Sequence, residues 1–400
     1  MSERRGISKM KQHSDLPMSG ITVLDFSQFL AGPMAAMRLG DLGARVIKIE
    51  RPQGGDIGRR LAFGGIVEDG DTLSFHITNR NKDSFAADLK DENDKKQILK
   101  LLSKADVVIQ NFRPGVMERL GFSYEEVANL NPKIIYASIS GYGSSGPWAT
   151  RPGQDLLAQS LSGLPWLSGS GEDPPIPVGV ALADIITSIH CAHGVTAALL
   201  RRERTGKGGQ VETSLMESML DLQFELISAH LNDPTIAVDR GARHTAHAFL
   251  QAPYGIYPTS DGFLALAMGS VPEIGELIGL PALSKFVDPD TWWSMQTEIT
   301  GLIAGHLISQ TTKAWLDLLD AGDIWCAPVL TLPELINHEG FKGMGMSQDI
   351  IRTSPDGSEV RLQTTRSPLR FDGRPLRNSR GAPRIGEHNQ QIVEEFGIGS

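Results

Sequence analysis

The stretch ITVLDFSQFLAGPMAAMRLGDLGARVIKIE, residues 21–50, has the pattern of two buried strands joined by a helix. Its ends, ITVLDF and RVIKIE, are short runs of mainly β-branched and apolar residues, which are typical of strands. The segment between them carries Pro33 in what would be the first turn of the helix, where proline is tolerated. This order of elements predicts a parallel strand pair with a right-handed crossover.

The same alternation continues downstream. Further strands are predicted in DSFAADL (83–89), DVVIQNF (106–112) and KIIYASIS (133–140), and DENDKKQILKLLSKA (91–105) has the pattern of an amphipathic helix. We therefore predict an α/β fold with an open parallel sheet. Ligands of such sheets bind beyond the carboxyl ends of the strands. In this chain those ends are residues 27–30, 50–51, 111–113 and 140–142.

The second half of the chain differs from the first in composition and in the length of its predicted elements. A Gly/Pro/Ser-rich segment is followed by a long apolar helix, predicted at 181–202, that the glycines of RTGKGG would end. From about residue 233 the predicted elements become shorter, and GIYPTSDGFLALAM (255–268) has the pattern of a β-hairpin. We predict a large domain over 18–225, a smaller α+β domain over 230–325, and a return of 326–400 to the large domain.

Composition excludes several classes of protein. The net charge of −9 argues against a nucleic-acid partner, and no apolar run approaches the length needed to cross a membrane. The two cysteines, Cys191 and Cys326, are too few for a disulfide framework, so we expect a reducing, cytoplasmic setting. The N-terminal residues before 18 have the composition of a disordered tail, with a mitochondrial presequence as the alternative.

Familiar catalytic motifs are missing or incomplete. No G-x-G-x-x-G follows the first strand, RTGKGG lacks the Ser or Thr of a P-loop, and no G-x-S-x-G is present. His190 and His193 share a helical face, but no acid or thiol cluster completes a site, so no metal is expected. The basic residues Arg51, Lys82 and Arg113, with Arg119, lie near predicted strand ends and together favour a phosphorylated small ligand.

The chain resembles the class III CoA-transferases in an ordered series of motifs along almost its whole length. Besides residues 21–50 these motifs are NRNKDS (79–84), NFRPGVMERLGF (111–122), LNPKIIYASISGYGSSGPWATRPGQD (130–155), RTGKGGQVETSLMES (204–218) and APYGIYPTSDGF (252–263). The resemblance implies a large Rossmann-like domain built from both ends of the chain, a small domain, and an interlocked homodimer. It also implies an acyl-CoA and a small carboxylic acid as substrates, with no permanently bound cofactor.

The resemblance further implies which residues contact CoA. They are Leu30, Ala31, Arg51, Asn79, Arg80, Asn81, Lys82, Asn111, Phe112, Arg113, Arg119, Ile139, Ser140, Gly141 and Tyr142. Two of these depart from the formyl-CoA transferase pattern, which has glutamine where Leu30 stands and lysine where Ser140 stands. That enzyme's glycine-rich loop is also not evident near Gly269. Formyl-CoA and oxalate are therefore disfavoured as the specific pair.

The family nucleophile is an aspartate before a Pro-Pro-like segment, and GEDPPIPVGVALAD (171–184) offers two acids there. The family spacing, counted back from Gly179, selects Glu172, whereas residue type favours Asp173. A carboxylate can attack a thioester carbonyl and form a covalent intermediate. Glycines and prolines would let the backbone approach the oxyanion and hold the loop shape. The same composition also suits an ordinary surface turn.

Two other functions stay open at this point. An α-methylacyl-CoA racemase shares the fold, but it has a histidine where Gln154 stands, and glutamine cannot carry a proton at neutral pH. Asp155 and Asp184, in the racemase segments, would then orient loops or substrate. A CoA-binding protein without turnover is the second alternative. Candidates for holding the acid substrate are Arg243, His244 and Tyr254.

Overall fold

The structure, a computed structural model, describes residues 15–61, 64–235 and 240–399. Its strands are β1 (Thr22–Asp25), β2 (Arg45–Glu50), β3 (Val67–Glu68), β4 (Asp71–Thr72), β5 (Lys82–Ala86), β6 (Val107–Gln110), β7 (Ile135–Ser140), β8 (Gly209–Ser214), β9 (Gly255–Pro258), β10 (Phe263–Leu266), β11 (Cys326–Pro328), β12 (Ser347–Thr353), β13 (Glu359–Thr365), β14 (Arg370–Phe371) and β15 (Arg374–Pro375).

Helices connect most of these strands. They are α1 (Ala31–Asp41), α2 (Leu73–Thr78), α3 (Glu92–Leu102), α4 (Val116–Leu120), α5 (Tyr124–Leu130), α6 (Asp155–Leu161), α7 (Leu164–Leu167), α8 (Leu182–Thr205), α9 (Leu215–Leu222), α10 (Phe224–Asn232), α11 (Val271–Leu277), α12 (Gln296–Leu307), α13 (Thr312–Ala321), α14 (Leu332–Asn337), α15 (Glu339–Met344) and α16 (Asn389–Phe396). Short 3₁₀ turns lie at Ile57–Arg59, Pro281–Lys285 and Pro289–Thr291.

A six-stranded parallel sheet dominates the structure, in the order β5-β2-β1-β6-β7-β8. The chain moves outward from β1 to β5 in one direction and from β6 to β8 in the other, which is the doubly wound, Rossmann-like order. The predicted open parallel sheet is thus confirmed. Because the winding direction changes between β1 and β6, a crevice is expected where these two strands end.

The start of helix α1 lies close to the turn after β1 because Gly32 has no side chain. A Cβ atom at Gly32 would lie 2.2 Å from the Cβ of Ser27, far inside contact distance. The apolar face of α1, with Ala35, Ala36 and Leu39 fully buried, covers the sheet. The first stretch of sequence therefore forms the strand, helix and strand that its pattern predicts.

The chain divides into two compact units. The first unit comprises residues up to Ala158, Ala181–Met219 and the residues from Met344 onward, and it holds the parallel sheet. Its C-terminal part carries the antiparallel pair β12–β13, where buried Arg352 donates to Asp69 (2.8 Å) and to Asp71 (2.7 Å). Charged hydrogen bonds of this kind join the C-terminal segment of the unit to its N-terminal segment.

The second unit comprises Gln159–Val180 and Leu220–Gly343. Its three-stranded antiparallel sheet has the order β11-β10-β9, and β9–β10 is the predicted hairpin. Tyr257, Leu264 and Trp315 lie in its separate apolar core. The units differ from the predicted domain limits in three places. Residues 159–180 and 220–225 group with the second unit, and β11 pairs with β10, so residues 326–343 belong to that unit too.

Helix α8 is longer than predicted and ends at Gly206, which adopts the left-handed conformation of a glycine cap. By length and composition α8 could cross a membrane, which the apolar-run prediction overlooked; among the described residues no other helix could. Core helices of water-soluble proteins pass the same test, and α8 packs along α1 and β8 inside the first unit.

Candidate functional site

The carboxyl ends of β1 and β6 are joined by the side chain of Asn111. Its Oδ1 accepts from the backbone N–H of Gln28 at 2.8 Å, and its Nδ2 donates to the Gln28 carbonyl oxygen at 2.7 Å. The next residue, Phe29, is half exposed and has a positive φ of 67°, so the chain turns sharply before α1. Leu30 and Ala31, both predicted CoA contacts, form this entry to α1.

A buried cluster of charged side chains holds the backbone of this turn. Lys82 Nζ donates to Asp25 Oδ2 at 2.8 Å, and Lys48 Nζ lies 2.7 Å from Asp56 Oδ2. The ammonium groups also donate to backbone: Lys48 to the Ser27 carbonyl at 3.0 Å, and Lys82 to the Pro33 carbonyl at 2.9 Å. The cluster therefore fixes the backbone on both sides of the β1–α1 turn.

Burial and pairing oppose each other in this cluster. Burial lowers the pKa of Lys82 to about 8, although the Asp25 carboxylate acts in the other direction. Burial disfavours the charged form of Asp25, but Lys82 and Lys48 outweigh it and lower the pKa of that carboxyl. Near neutral pH the pair is ionised, so each partner is needed to neutralise the other.

The predicted CoA contacts at 79–82 are mostly buried. Arg80 pairs with Asp41 at 2.5 Å, and Asn79 Oδ1 accepts from Lys82. Lys82 is the first residue of β5, so it lies at the amino end of its strand rather than at the carboxyl edge. Asn81 is half-buried, with a φ of 63°. Apart from the Nε of Arg80, which has no hydrogen-bond partner among the described residues, the side-chain polar groups of Asn79, Arg80 and Lys82 bind other groups of the protein.

The other predicted CoA contacts lie at or after the carboxyl ends of β2, β6 and β7. The guanidinium-bearing residues Arg51, Arg113 and Arg119 are exposed, whereas Asn111, Phe112, Ile139, Ser140, Gly141 and Tyr142 are half-buried or buried. Ser140 Oγ accepts from the Gly143 N–H at 2.9 Å. A Cβ on Gly141 would lie 2.5 Å from the Gly153 Cα, so the backbone after β7 crosses a second segment at close range.

Two carboxyls lie beside the start of α1 in the first unit. The Asp184 N–H donates to Asp155 Oδ1 at 3.2 Å, and the Asp184 carboxylate accepts from the backbone of Ala31. Burial, together with the nearby Asp155 charge, raises the pKa of Asp184 to about 7. Sequence reasoning noted both acids without their proximity to Ala31, because that proximity depends on how α8 packs against α1.

In the second unit, the Gly/Pro-rich loop holds one of its two acids by specific hydrogen bonds. Asp173 Oδ2 accepts from both the N–H and the hydroxyl of Ser170, each at 2.8 Å. These two donors lower the pKa of Asp173, and the Ser170 backbone N–H has the larger effect. The Glu172 side chain is exposed, and its backbone N–H donates to Ser170 Oγ at 3.4 Å. Both candidate nucleophiles are therefore open to solvent, but only Asp173 is fixed in direction by Ser170.

Sequence reasoning missed the residue that fixes this loop, Arg240. Its guanidinium is buried and donates to the carbonyls of Ser170 and Pro174 at 3.1 Å, and also to those of Asp173 and Trp166. The same group stacks over the Trp166 ring, 4.5 Å from its centre. The one sequence signal was an arginine in a polar segment, which gives no hint of a partner 66–74 residues away.

The predicted acid-holding residues are also in the second unit. Arg243 is exposed, and its positive charge lowers the pKa of Asp173 further, although by less than the two Ser170 donors do. His244 stacks on Tyr257 and has its Nδ1 3.1 Å from the Ile256 carbonyl oxygen. Tyr254 closes a turn on the Gln251 carbonyl. Across residues 15–61, 64–235 and 240–399, no group of three His, Cys, Asp or Glu residues is placed to hold a metal.

Comparison with known proteins identifies relatives along nearly the whole chain. The profile of the family described as CoA-transferase family III matches residues 18–389. A succinate–glutarate CoA-transferase from Agrobacterium fabrum (strain C58) is 34% identical over 393 residues, 95% of this chain and 96% of the relative. An acetyl-CoA:oxalate CoA-transferase from Acetobacter aceti is 32% identical over 387 residues, 95% of this chain and 96% of the relative.

Solved structures agree with the sequence comparison. Rv3272 from Mycobacterium tuberculosis has a TM-score of 0.81 at 30% identity, covering 94% of this chain and 99% of its own. A CAIB/BAIF family protein from Brucella suis has a TM-score of 0.80 at 30% identity, covering 95% of this chain and 99% of its own. These likenesses extend over both compact units.

Proposed function

The chain belongs to CoA-transferase family III, as its motifs indicated, and from this premise we propose that it moves CoA from an acyl-CoA to a carboxylic acid through a covalent enzyme carboxylate. The observation that carries the covalent route is the acid loop of the second unit, where an exposed carboxylate is held by two hydrogen-bond donors within a Gly/Pro-rich segment. Such a carboxylate can attack a thioester and conserve its energy as an anhydride and then as an enzyme thioester.

For CoA, the proposed binding surface is the carboxyl edge of the parallel sheet. The winding reversal between β1 and β6 supports it, because ligands of doubly wound sheets bind there. The exposed side chains of Arg51, Arg113 and Arg119 would bind the phosphate groups of CoA. Leu30 and Ala31, and Ile139 to Tyr142, would line the surface. Asn79, Arg80 and Lys82 would act indirectly by shaping it, since their polar groups are engaged internally.

The proposed substrates are a short acyl-CoA and a small carboxylic acid. Relatives named for succinate, glutarate, acetyl-CoA and oxalate support this size class. Leu30 and Ser140 still disfavour the formyl-CoA and oxalate pair, since each replaces a polar side chain of that enzyme's pattern. Arg243, exposed near the acid loop, is the proposed partner for the free carboxylate of the acid substrate.

The test is an isotope-exchange screen. Succinyl-, acetyl- and formyl-CoA are mixed with the enzyme and labelled acids, and transfer of label into acyl-CoA is measured. The double substitution Glu172→Ala/Asp173→Ala should reduce exchange by at least about a thousandfold, since it removes the nucleophile. Full activity in that variant would overturn the covalent route. Exchange of α-deuterium without CoA transfer would instead indicate a racemase, and CoA binding without either reaction a binding protein.

The proposed assembly is a homodimer, and the proposed setting is the cytoplasm. Helix α10 is largely apolar yet has no buried residue within the single chain, which supports a second copy covering it. Phe224 and Leu231 on this helix are 62% and 76% exposed. Both cysteines are free, Cys191 buried and Cys326 half-buried, which supports a reducing compartment.

A further inference from the structure

The two Ser170 donors converge on a single oxygen atom of Asp173. The Ser170 N–H and Oγ are each 2.8 Å from Oδ2, and the Asp173 N–H returns a hydrogen bond to the Ser170 carbonyl at 3.0 Å. Among the described residues no group donates a hydrogen bond to Oδ1 of Asp173, and the Asp173 side chain is exposed. One carboxylate oxygen is thus held, while the other faces solvent.

Two neighbouring residues keep this geometry in place. Arg240 donates to the carbonyls of Ser170 and Pro174, so its guanidinium holds the backbone at both ends of the turn that contains Asp173. Gly169 has a φ of 82°, and a Cβ there would lie 3.2 Å from Asp173 Oδ2 and 2.8 Å from the Ile176 side chain. Any other residue at 169 would press on the held oxygen, so glycine is needed for close approach.

The chemistry at Asp173 would place negative charge on the held oxygen. In the first step Oδ1 attacks the acyl carbonyl, the C–S bond breaks, and CoA leaves as a thiolate, which gives a mixed anhydride. The thiolate then attacks Cγ, and the electron pair of the Cγ=Oδ2 bond moves onto Oδ2. Collapse re-forms that double bond and breaks Cγ–Oδ1, so the donor acid departs with Oδ1 and CoA remains on Cγ.

We propose that Ser170 is an oxyanion hole for the Asp173 carbonyl, which makes Asp173 the nucleophile and Ser170 a catalytic residue. The inference rests on the proposed covalent transfer. Two preorganised donors already lie at hydrogen-bond distance from the atom that becomes the oxyanion, both when CoA attacks the anhydride and when the acceptor acid attacks the thioester. Glu172 has no side-chain donor of this kind among the described contacts, although family spacing favours it.

The test measures formation of the enzyme–CoA thioester within a single turnover, by rapid quench and intact mass. The donor is whichever of succinyl-, acetyl- and formyl-CoA exchanges fastest. Ser170→Ala should form the thioester about a hundredfold more slowly, with KM changed by less than about threefold, because one transition-state donor is lost. Acyl-CoA hydrolysis per transfer should rise, since the anhydride then waits longer for the thiolate.

Matched variants separate catalysis from loop structure. Ser170→Thr keeps the hydroxyl and should recover most of the rate. Ser168→Ala should match the parent, because the Ser168 hydroxyl donates to the Leu164 carbonyl at the start of α7 rather than to Asp173. In Ser170→Ala the acidic limb of the kcat/KM profile should move to higher pH, since the Asp173 carboxylate loses a donor that lowers its pKa.

Borohydride reduces an enzyme–CoA thioester to a primary alcohol and releases CoA as a thiol. Peptide mapping of the reduced parent enzyme therefore shows, as the side chain converted to an alcohol, which residue had carried CoA. CoA on Asp173 with a slowed Ser170→Ala enzyme supports the proposal. CoA on Glu172, or a Ser170→Ala enzyme that forms thioester at the parent rate, overturns it while leaving the transferase function standing. No exchange and no adduct on any residue would overturn the proposed function itself.

Discussion

Lys82, one of the residues predicted to contact CoA, has a wholly buried side chain. Its ammonium has no exposed surface and donates to Asp25, Asn79 and the Pro33 carbonyl. Those bonds fix the end of β1 and the start of α1, where the sheet edge is expected to receive CoA. A buried charge of this kind is stabilising only while its partner is present.

Replacing Lys82 by methionine should therefore destabilise the fold. Lys82→Met leaves the Asp25 carboxylate buried with one cation fewer, and the free energy of unfolding should fall by about 3–5 kcal/mol. Urea unfolding followed by circular dichroism measures it. The matched control is Lys90→Met at an exposed position, which should stay within about 0.5 kcal/mol of the parent. Equal stability of both variants would show that the cluster carries no such energy.

Asp184 gives a prediction about pH. Its pKa is raised from 3.8 to about 7 by burial and by Asp155, so between these values the folded state binds more protons than the unfolded state. The free energy of unfolding therefore falls as pH rises through this window. Asp184→Asn removes the titration, so its stability relative to the parent should increase by up to about 3 kcal/mol from pH 4 to pH 8.

The control for this prediction is Asp155→Asn. It removes the neighbouring negative charge but leaves Asp184 buried, so the pKa of Asp184 should be raised less. The fall in stability should therefore end at a lower pH and be smaller. Parallel unfolding curves for the parent and Asp184→Asn at every pH would contradict a raised pKa.

At the scale of elements, the contact of α1 with the β1 turn depends on one glycine. Gly32 lies in the second position of α1, and its missing side chain lets Ser27 approach. Helix α1 in turn carries Ala31, which donates to Asp184, and Pro33, whose carbonyl holds Lys82. Displacing this helix would disturb both the carboxyl pair and the charge cluster.

Gly32→Ala should therefore lower both stability and CoA affinity. A Cβ 2.2 Å from Ser27 forces α1 outward, at a cost of about 1–3 kcal/mol. Thermal unfolding and calorimetric titration with CoA provide the two measurements. Gly301→Ala is the matched control, because that helical glycine of α12 has open space around it, and alanine should stabilise it by about 0.5–1 kcal/mol. Unchanged CoA affinity in Gly32→Ala would argue against a site at this helix end.

For the molecule as a whole, the most informative surface is that of α10. Helix α10, with the sequence FELISAHLN, has no fully buried residue and so gains only part of the packing of an apolar face that stabilises most helices in proteins. A partner copy over this helix would bury Phe224 and Leu231 and supply that packing.

The proposed homodimer would have a mass about twice the chain's 43.4 kDa in light scattering. Phe224→Glu/Leu231→Glu should shift the protein toward the monomer, because two charges would be buried in an apolar interface. Val287→Glu, at a site that is 74% exposed on another part of the second unit, should leave the mass unchanged. A monomeric parent protein would overturn the dimer.

The sequence by itself determined the alternation of strands and helices along the first part of the chain, the open parallel sheet that this alternation forms, and the family. All three depend on local signals: the apolar periodicity of residues 21–50, the turn residues, and short motifs that keep their spacing. The resemblance to the family, rather than the Gly/Pro composition, also led to two adjacent acids, Glu172 and Asp173, as the candidate nucleophiles.

Only the tertiary structure decided which polar groups meet. Lys82 had the sequence context of a ligand contact and proved to be buried against Asp25, 57 positions away. Arg240 had no motif and holds the acid loop across 66–74 positions. Residue 326 was expected to begin a return to the large domain, and its strand pairs with β10 instead. Such contacts arise from packing between distant segments, and local periodicity and composition carry no information about them.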